Sequence, residues 1–238
     1  MLFPFLSAIC LLLFSAASSF SQATVLPDPV LPQQQSPPPA PQHKRILGII
    51  PNYRTSPTLK DYKPLSAGQK FKLAAKDSFD PGTVAFSAIL AGTSYLANDN
   101  PSFGHGAASY GRYFGTTYAD AVIGDFMTGA IYPVMLHQDP RYFRRGTGSA
   151  WSRAGYAVGQ IVRTRSDSNH TQFNYSEVLG NATAAGIANA YYPDNRSAGA
   201  TASRLGLQLG IDAAGNLLKE FWPDLDRAFS RKHHTQNP

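Results

Sequence analysis

The chain has 238 residues, a formal net charge of +6 and a single cysteine, Cys10. Hydrophobic residues make up 43% of it and charged residues only 15%, which excludes a charge-extended disordered chain and leaves enough apolar side chain for a folded core. One cysteine excludes a disulfide framework and a thiolate zinc site, so any folded domain must be held by packing and polar contacts alone.

In chain order, the first predicted element is a signal peptide over residues 1–23. Leu2 to Phe14 form an apolar run, and the mostly small residues Ser15 to Ala23 follow it, which is the order of a hydrophobic core and a cleavage zone. Cleavage after Ala23 puts Ser21 and Ala23 at the two small positions. No Lys or Arg precedes the run, so only the amino terminus supplies positive charge there. The run falls short of the roughly 20 residues that a bilayer-crossing helix needs. Cys10 follows Ile9, which is too large for a lipoprotein signal, so lipidation is not expected. The expectation is an exported, thiol-free protein, periplasmic or associated with the outer membrane. Residues 24–45, carrying PDPVLPQQQSPPPAPQ, read as a disordered Pro/Gln-rich linker.

The domain is expected over residues 46–230. Its first stretch, RILGIIPNY from Arg45 to Tyr53, is a short apolar patch that docks the start of the domain. Ser66 caps a helix reaching Phe79, and Asp80 with Pro81 opens the next, which extends to about Ala97. A loop at Asn98 to Pro101 precedes a long helical segment from about Gly106 to Leu136, with Pro133 disturbing its last turn. Ser149 starts a fourth helix with Trp151, Ala154, Gly155, Val158 and Val162 on one apolar stripe. Ser176 opens a fifth, closed by Pro193. The sixth runs from about Gly199 to Trp222 and sets Leu207, Ile211, Ala214, Leu218 and Phe221 against Arg204, Gln208, Asp212 and Lys219. The alternation of a sheet protein is nearly absent. The fold class is therefore all-α, a bundle of five or six helices behind a disordered Pro-rich segment, with residues 231–238 as a disordered tail. Glycine pairs at spacing four (Gly111 with Gly115, Gly155 with Gly159, Gly206 with Gly210) predict close small-residue GxxxG packing.

Candidate chemistry concentrates at the exit of the third helix. His137 and Asp139 are the candidate catalytic pair, an imidazole oriented by a carboxylate to act as general base. Arg141, Arg144 and Arg145 are candidate anion-binding residues. They begin a block of six arginines without an acid between Pro140 and Ser166, which suits anionic lipid headgroups, acidic glycans or nucleic acid. The structural alternative is that His137 and Asp139 cap the helix and the arginines pair with acids elsewhere. Asp125, Asn181, Asn189, Asp212 and Asn216 are expected to bridge helices, with Arg112, Arg153 or Arg204 as partners. The zinc-protease, Walker, dinucleotide-binding and calcium-loop signatures are missing, and neither a metal nor a cofactor is expected.

The phrases DPRYFRRG (139–146), AYYP (190–193) and KEFWPD (219–224) resemble those of uncharacterised exported bacterial proteins. That resemblance implies an envelope location and transfers no activity. Two functions follow. One is a non-catalytic envelope protein that associates with membrane or cell wall, with anionic lipid, envelope glycan or an envelope protein as partner and no nucleic acid. The other is a hydrolase or transferase acting on an anionic envelope substrate through His137, Asp139 and the arginine cluster.

Overall fold

The computed structural model describes residues 45–46, 50–56, 59 and 62–234, with side chains to residue 228. The predicted signal peptide, the linker up to residue 44 and residues 235–238 lie outside the described residues. Within them the fold is all-α with a few short strands. β1 (Arg45–Ile46) pairs antiparallel with β2 (Ile50–Pro51), and Ile46 is buried. β3 (Thr55–Ser56) lies parallel to β5 (Tyr142–Phe143).

The helix starts follow local chemistry. At α1 (Ala67–Ser78), the Ser66 hydroxyl accepts from the Gln69 N–H while the Gln69 side chain accepts from the Ser66 N–H, a reciprocal capping box. The Asp80 carboxylate accepts from the Gly82 N–H at 2.7 Å and Pro81 occupies the first position of α2 (Pro81–Ala97). That helix ends on Asn98 in the left-handed conformation. Asp80 also receives Arg45 and Tyr53, which ties the first strand to the α1–α2 turn.

α3 (Ala107–Phe126) continues through a π-helical segment, Met127–Ile131, into α4 (Tyr132–Met135). Pro133 sits just after the π segment and has no N–H to sustain a regular helical ladder. β4 (Gln138–Asp139) then pairs with β6 (Arg163–Ser166), which pairs with β7 (Thr171–Phe173), in an antiparallel sheet of order β4-β6-β7. α5 (Ala150–Gly159) is capped by Ser149 as the sequence predicts. α6 (Tyr175–Ala188) packs between α3 and α7 (Ala198–His234).

Three expectations need correction. The N-cap of α6 is Asn174, whose side chain accepts from the Glu177 N–H, and Ser176 lies inside the helix. The β6–β7 hairpin was invisible because Arg163 to Ser166 is polar throughout and carries no alternating apolar signal. The last helix does not stop at Trp222; it runs through Pro223 to His234. Pro223 offers no N–H to the preceding turn. Beside this weakened stretch the Glu220 carbonyl accepts from Arg144 Nε and Arg153 Nη2, each at 2.8 Å.

The packed centre is small. Phe103 meets Tyr113 edge-on at 5.1 Å, flanked by Ala91, Ala188 and Tyr192, and Tyr113 accepts the Asn100 N–H. Ala74, Ala130, Ala157, Ala184 and Ala185 are also buried. Close small-residue packing is thus present, but not at the glycine pairs singled out from sequence. At Gly111, Gly115, Gly155, Gly159, Gly206 and Gly210 a Cβ would meet no neighbouring element within 4 Å. The tight sites are Gly180, whose Cβ would stand 2.8 to 3.1 Å from Thr128 and the Met127 backbone, and Gly129, which makes room for the Arg54 guanidinium. Gly180→Ala is therefore expected to destabilise the domain by about 1–3 kcal/mol through overpacking. Gly111→Ala, in open space on a helix, is expected to stabilise it by about 0.5–1 kcal/mol. Urea denaturation of both variants distinguishes the two kinds of glycine, and an equal response would refute the distinction.

Candidate functional site: a charged interior beneath an apolar surface

Between the helices lies a cluster of charge drawn from five segments. Arg54, from the turn between β2 and β3, reaches the interior across Gly129 and forms ion pairs with Asp77 of α1 and Asp125 of α3, the latter at 2.8 Å. The Ser78 hydroxyl donates to the second Asp125 oxygen. On the far side, the Asn181 amide of α6 donates to Glu177 at 3.3 Å and to Asp212 of α7 at 3.0 Å, so one side chain bridges two carboxylates. Lys219, two helical turns after Asp212, lies in the field of Arg54, Asp77, Asp212 and Glu177. Four carboxylates thus face two cations.

Electrostatics follow from that imbalance in a low-dielectric setting. Burial pushes the Asp125 carboxyl up to about 6, against the opposing pull of Arg54. Glu177 is raised well above the usual carboxylate range by burial and then by the adjacent Asp212. Burial, then Arg54, lowers the Lys219 ammonium. A five-residue π segment, the element least bound to regular helix geometry, begins two residues after Asp125. Among the described residues no grouping of His, Cys, Asp and Glu is arranged to hold a metal ion.

A second network joins two of the sequence phrases. Glu220 is fully buried, and its carboxylate accepts from the Tyr142 hydroxyl, the Arg145 and Gly146 N–H groups and Arg153 Nε, all within 2.8 to 3.0 Å. Asp224 pairs with Arg153 at 2.6 Å and Arg144 at 3.4 Å. Burial works to raise the Glu220 carboxyl, but these donors outweigh it and hold the group below its ordinary range. The residues of KEFWPD are therefore the partners of those of DPRYFRRG. In AYYP, Tyr191 and Tyr192 both donate to Asp120, and Arg204 stacks on Tyr192.

The structure gives the sequence-derived candidates separate partners. His137 is exposed, in a left-handed backbone conformation, and its carbonyl accepts the Asp167 N–H. Asp139 is fully buried and turned to other partners: Arg141 clamps both its oxygens, at 2.9 and 2.6 Å, and Tyr62 donates at 2.8 Å. No hydrogen bond joins His137 to Asp139 among the described residues. Arg141 also caps the Lys63 carbonyl, Arg144 is held by Glu220 and Asp224, and Arg145 lies exposed over the Tyr156 ring. Of the expected bridging arginines, Arg204 does reach Asn189, whereas Arg112 bonds the Phe103 carbonyl and Arg153 serves Glu220. Arg54, the partner of Asp125, carried no periodic signal because it sits in a turn. Between α6 and the start of α7 an open cleft of about 470 Å³ is floored by Ala182, Ala185 and Ala198; Arg196 is the one charged residue lining it.

The surface complements this interior. α2 buries Gly82, Ser87 and Ala91 and exposes Phe86, Ile89 and Leu96, the last at 83%. α6 buries Ser176, Gly180, Asn181, Ala184, Ala185 and Ala188 and exposes Tyr175, Leu179 and Ile187. α5 inverts the sequence expectation: Trp151 and Val158 point outward, as does Val162 in the turn beyond the helix, while Arg153 and Ala157 point inward. On α7, Asp212 and Lys219 take part in the interior cluster whereas Ile211 is exposed. Charge is sorted too. Among the described side chains eight cations are exposed (Lys63, Lys72, Lys76, Arg112, Arg145, Arg163, Arg196 and Arg227) against one acid, Asp194. Among the described residues no helix is long and apolar enough to cross a membrane.

No protein-family model matches this chain, and no curated protein or solved structure matches it.

Proposed function

We propose that this is an exported protein whose helical domain works at a membrane surface of the cell envelope as a non-catalytic, membrane-associated module. The observation that carries the reading is the inverted polarity of α2, α5 and α6, which bury small and polar residues and turn bulky apolar ones outward. Apolar surface left in water costs about 25 cal/mol per Å², and monomeric proteins in water seldom keep large contiguous patches of it. At the level of lipid headgroups the same side chains are accommodated, and the exposed cations meet a surface of opposite sign. The reading concerns a domain lying against a membrane rather than a helix passing through one. The apolar run at Leu2 to Phe14 and the small residues up to Ala23 support export.

Fractionation of the producing cells, with mass spectrometry of the protein's N-terminus, tests both parts. The protein is expected in the membrane fraction, released by high salt, and beginning at Thr24. Recovery entirely apart from membranes would sink the association; a chain still beginning at Met1 would sink the processed export signal.

A further inference from the structure

Resting on that reading, we infer that the patch where α5, the β6–β7 hairpin and α6 meet is the docking surface for an anionic lipid bilayer. Val158 comes from the end of α5, Val162 from the turn that follows it, Arg163 and Phe173 from the two strands, and Tyr175 from the start of α6. These segments are stitched together by the backbone. The Asn174 N–H donates to the Val162 carbonyl at 3.0 Å, its side-chain amide donates to the Gln160 carbonyl, and Arg163 stands opposite Phe173 in the strand register. Phe173 and Tyr175 meet edge-on at 4.9 Å. The patch is therefore preformed, yet Val158, Val162, Phe173 and Tyr175 remain 45–50% exposed. Trp151, on the same stripe of α5, is 72% exposed.

The chemistry selects the occupant. Amphipathic rings beside aliphatic side chains and arginine are the residues that settle at the boundary between headgroups and acyl chains. Among the described residues Arg163 is exposed and enters no ion pair. No acid occurs between Pro140 and Ser166, Asp167 is taken by Lys70, and Glu177 belongs to the interior cluster. A glycan would leave the apolar side chains wet. A second copy docking on the same face would set arginine against arginine.

The full chain carrying Trp222→Phe, in which Trp151 is the sole tryptophan, is to be mixed with vesicles of phosphatidylcholine alone or with phosphatidylglycerol added. Co-sedimentation of the chain with Trp222 intact runs in parallel, so the result does not hinge on that buried substitution. Trp151 emission is expected to shift to the blue on the anionic vesicles and to revert with salt. Arg163→Gln should weaken partitioning about fivefold, the effect of one cation near an anionic surface. Phe173→Ala with Tyr175→Ala should weaken it at least tenfold. Because every variant keeps the same N-terminal segment, differences between them report on this face. An equal response to neutral and anionic vesicles would overturn the inference and leave membrane association standing. No response to either would overturn both. Anionic binding untouched by these changes but lost with Lys72→Gln and Lys76→Gln would move the docking surface to α1 and overturn the assignment.

Discussion

Glu220→Ala is expected to cost the domain about 3–5 kcal/mol, the range for removing one partner of a buried ion pair. The loss is large because the carboxylate serves four donors at once. Its removal leaves the Arg153 guanidinium, the Tyr142 hydroxyl and the Arg145 and Gly146 N–H groups without their shared acceptor. It also unfastens α7 from the β5–α5 connection. Glu220→Gln keeps the shape but not the charge and should fall between the alanine variant and the parent chain. In a domain of this size the alanine variant would melt on the order of 10 °C lower. Arg227, mostly exposed and paired with Asp224, gives the contrast: Arg227→Ala should change stability by less than about 1 kcal/mol. If Glu220→Ala proved as mild as Arg227→Ala, the network would be a surface decoration and the two phrases would not hold each other in place.

The interior cluster should set an unusual pH dependence. The folded Asp125 carboxyl titrates at about 6, above the unfolded value of about 4. Between those values the folded chain holds a proton that the unfolded chain has released, so stability falls as pH rises through the window and then levels. Glu177, also raised by burial and by Asp212, adds to the decline. Glu220 and Asp224 act in the opposite sense. Their folded values are lowered, so they contribute stability above the unfolded carboxylate range that is lost as pH falls through the folded values. A dome results, with a declining slope due to Asp125 and Glu177, which the lowered Lys219 ammonium opposes at higher pH, and an acid slope due to the Glu220 network. Asp125→Asn should remove up to about 3 kcal/mol of the difference between pH 4 and pH 7, two units at about 1.4 kcal/mol each. Glu177→Gln, whose amide can donate to Asp212 as the protonated acid does, should flatten the declining slope. Urea midpoints measured from pH 4 to pH 9 check this. A declining slope unchanged in both variants would show that these carboxyls are ionised in the fold.

Where the chain punctuates itself, the fold is legible in the residues alone. Ser66, Asp80–Pro81, Asn98 and Ser149 each act through bonds to backbone groups within a few residues, and each marks the helix boundary that its chemistry implies. The direction in which the helices face is not legible in the same way. A stripe such as Trp151, Val158 and Val162 marks a boundary between apolar and polar sides, and convention assigns the apolar side to the core. Here the core takes the other side. The cue lies in what opposes the apolar stripes: on α2 and α6 they face glycine, alanine, serine and asparagine rather than long charged residues. The candidate site is less legible still. Asp139 and the arginines stand out as a group, but their partners Tyr62, Glu220 and Asp224 are about 80 residues away in either direction, a distance no local pattern spans. Arg54, lying in a turn, gives no sign of reaching Asp125.

The inward placement of carboxylates separates two quantities that composition treats as one. At physiological ionic strength charges are screened beyond about 8 Å, so an object approaching the domain responds to the outermost groups before it responds to the total. Those groups are eight cations and a single acid among the described side chains. At contact range the described surface is thus more strongly cationic than the balance of all its described charged side chains conveys, and it acquires that character by folding rather than by sequence alone.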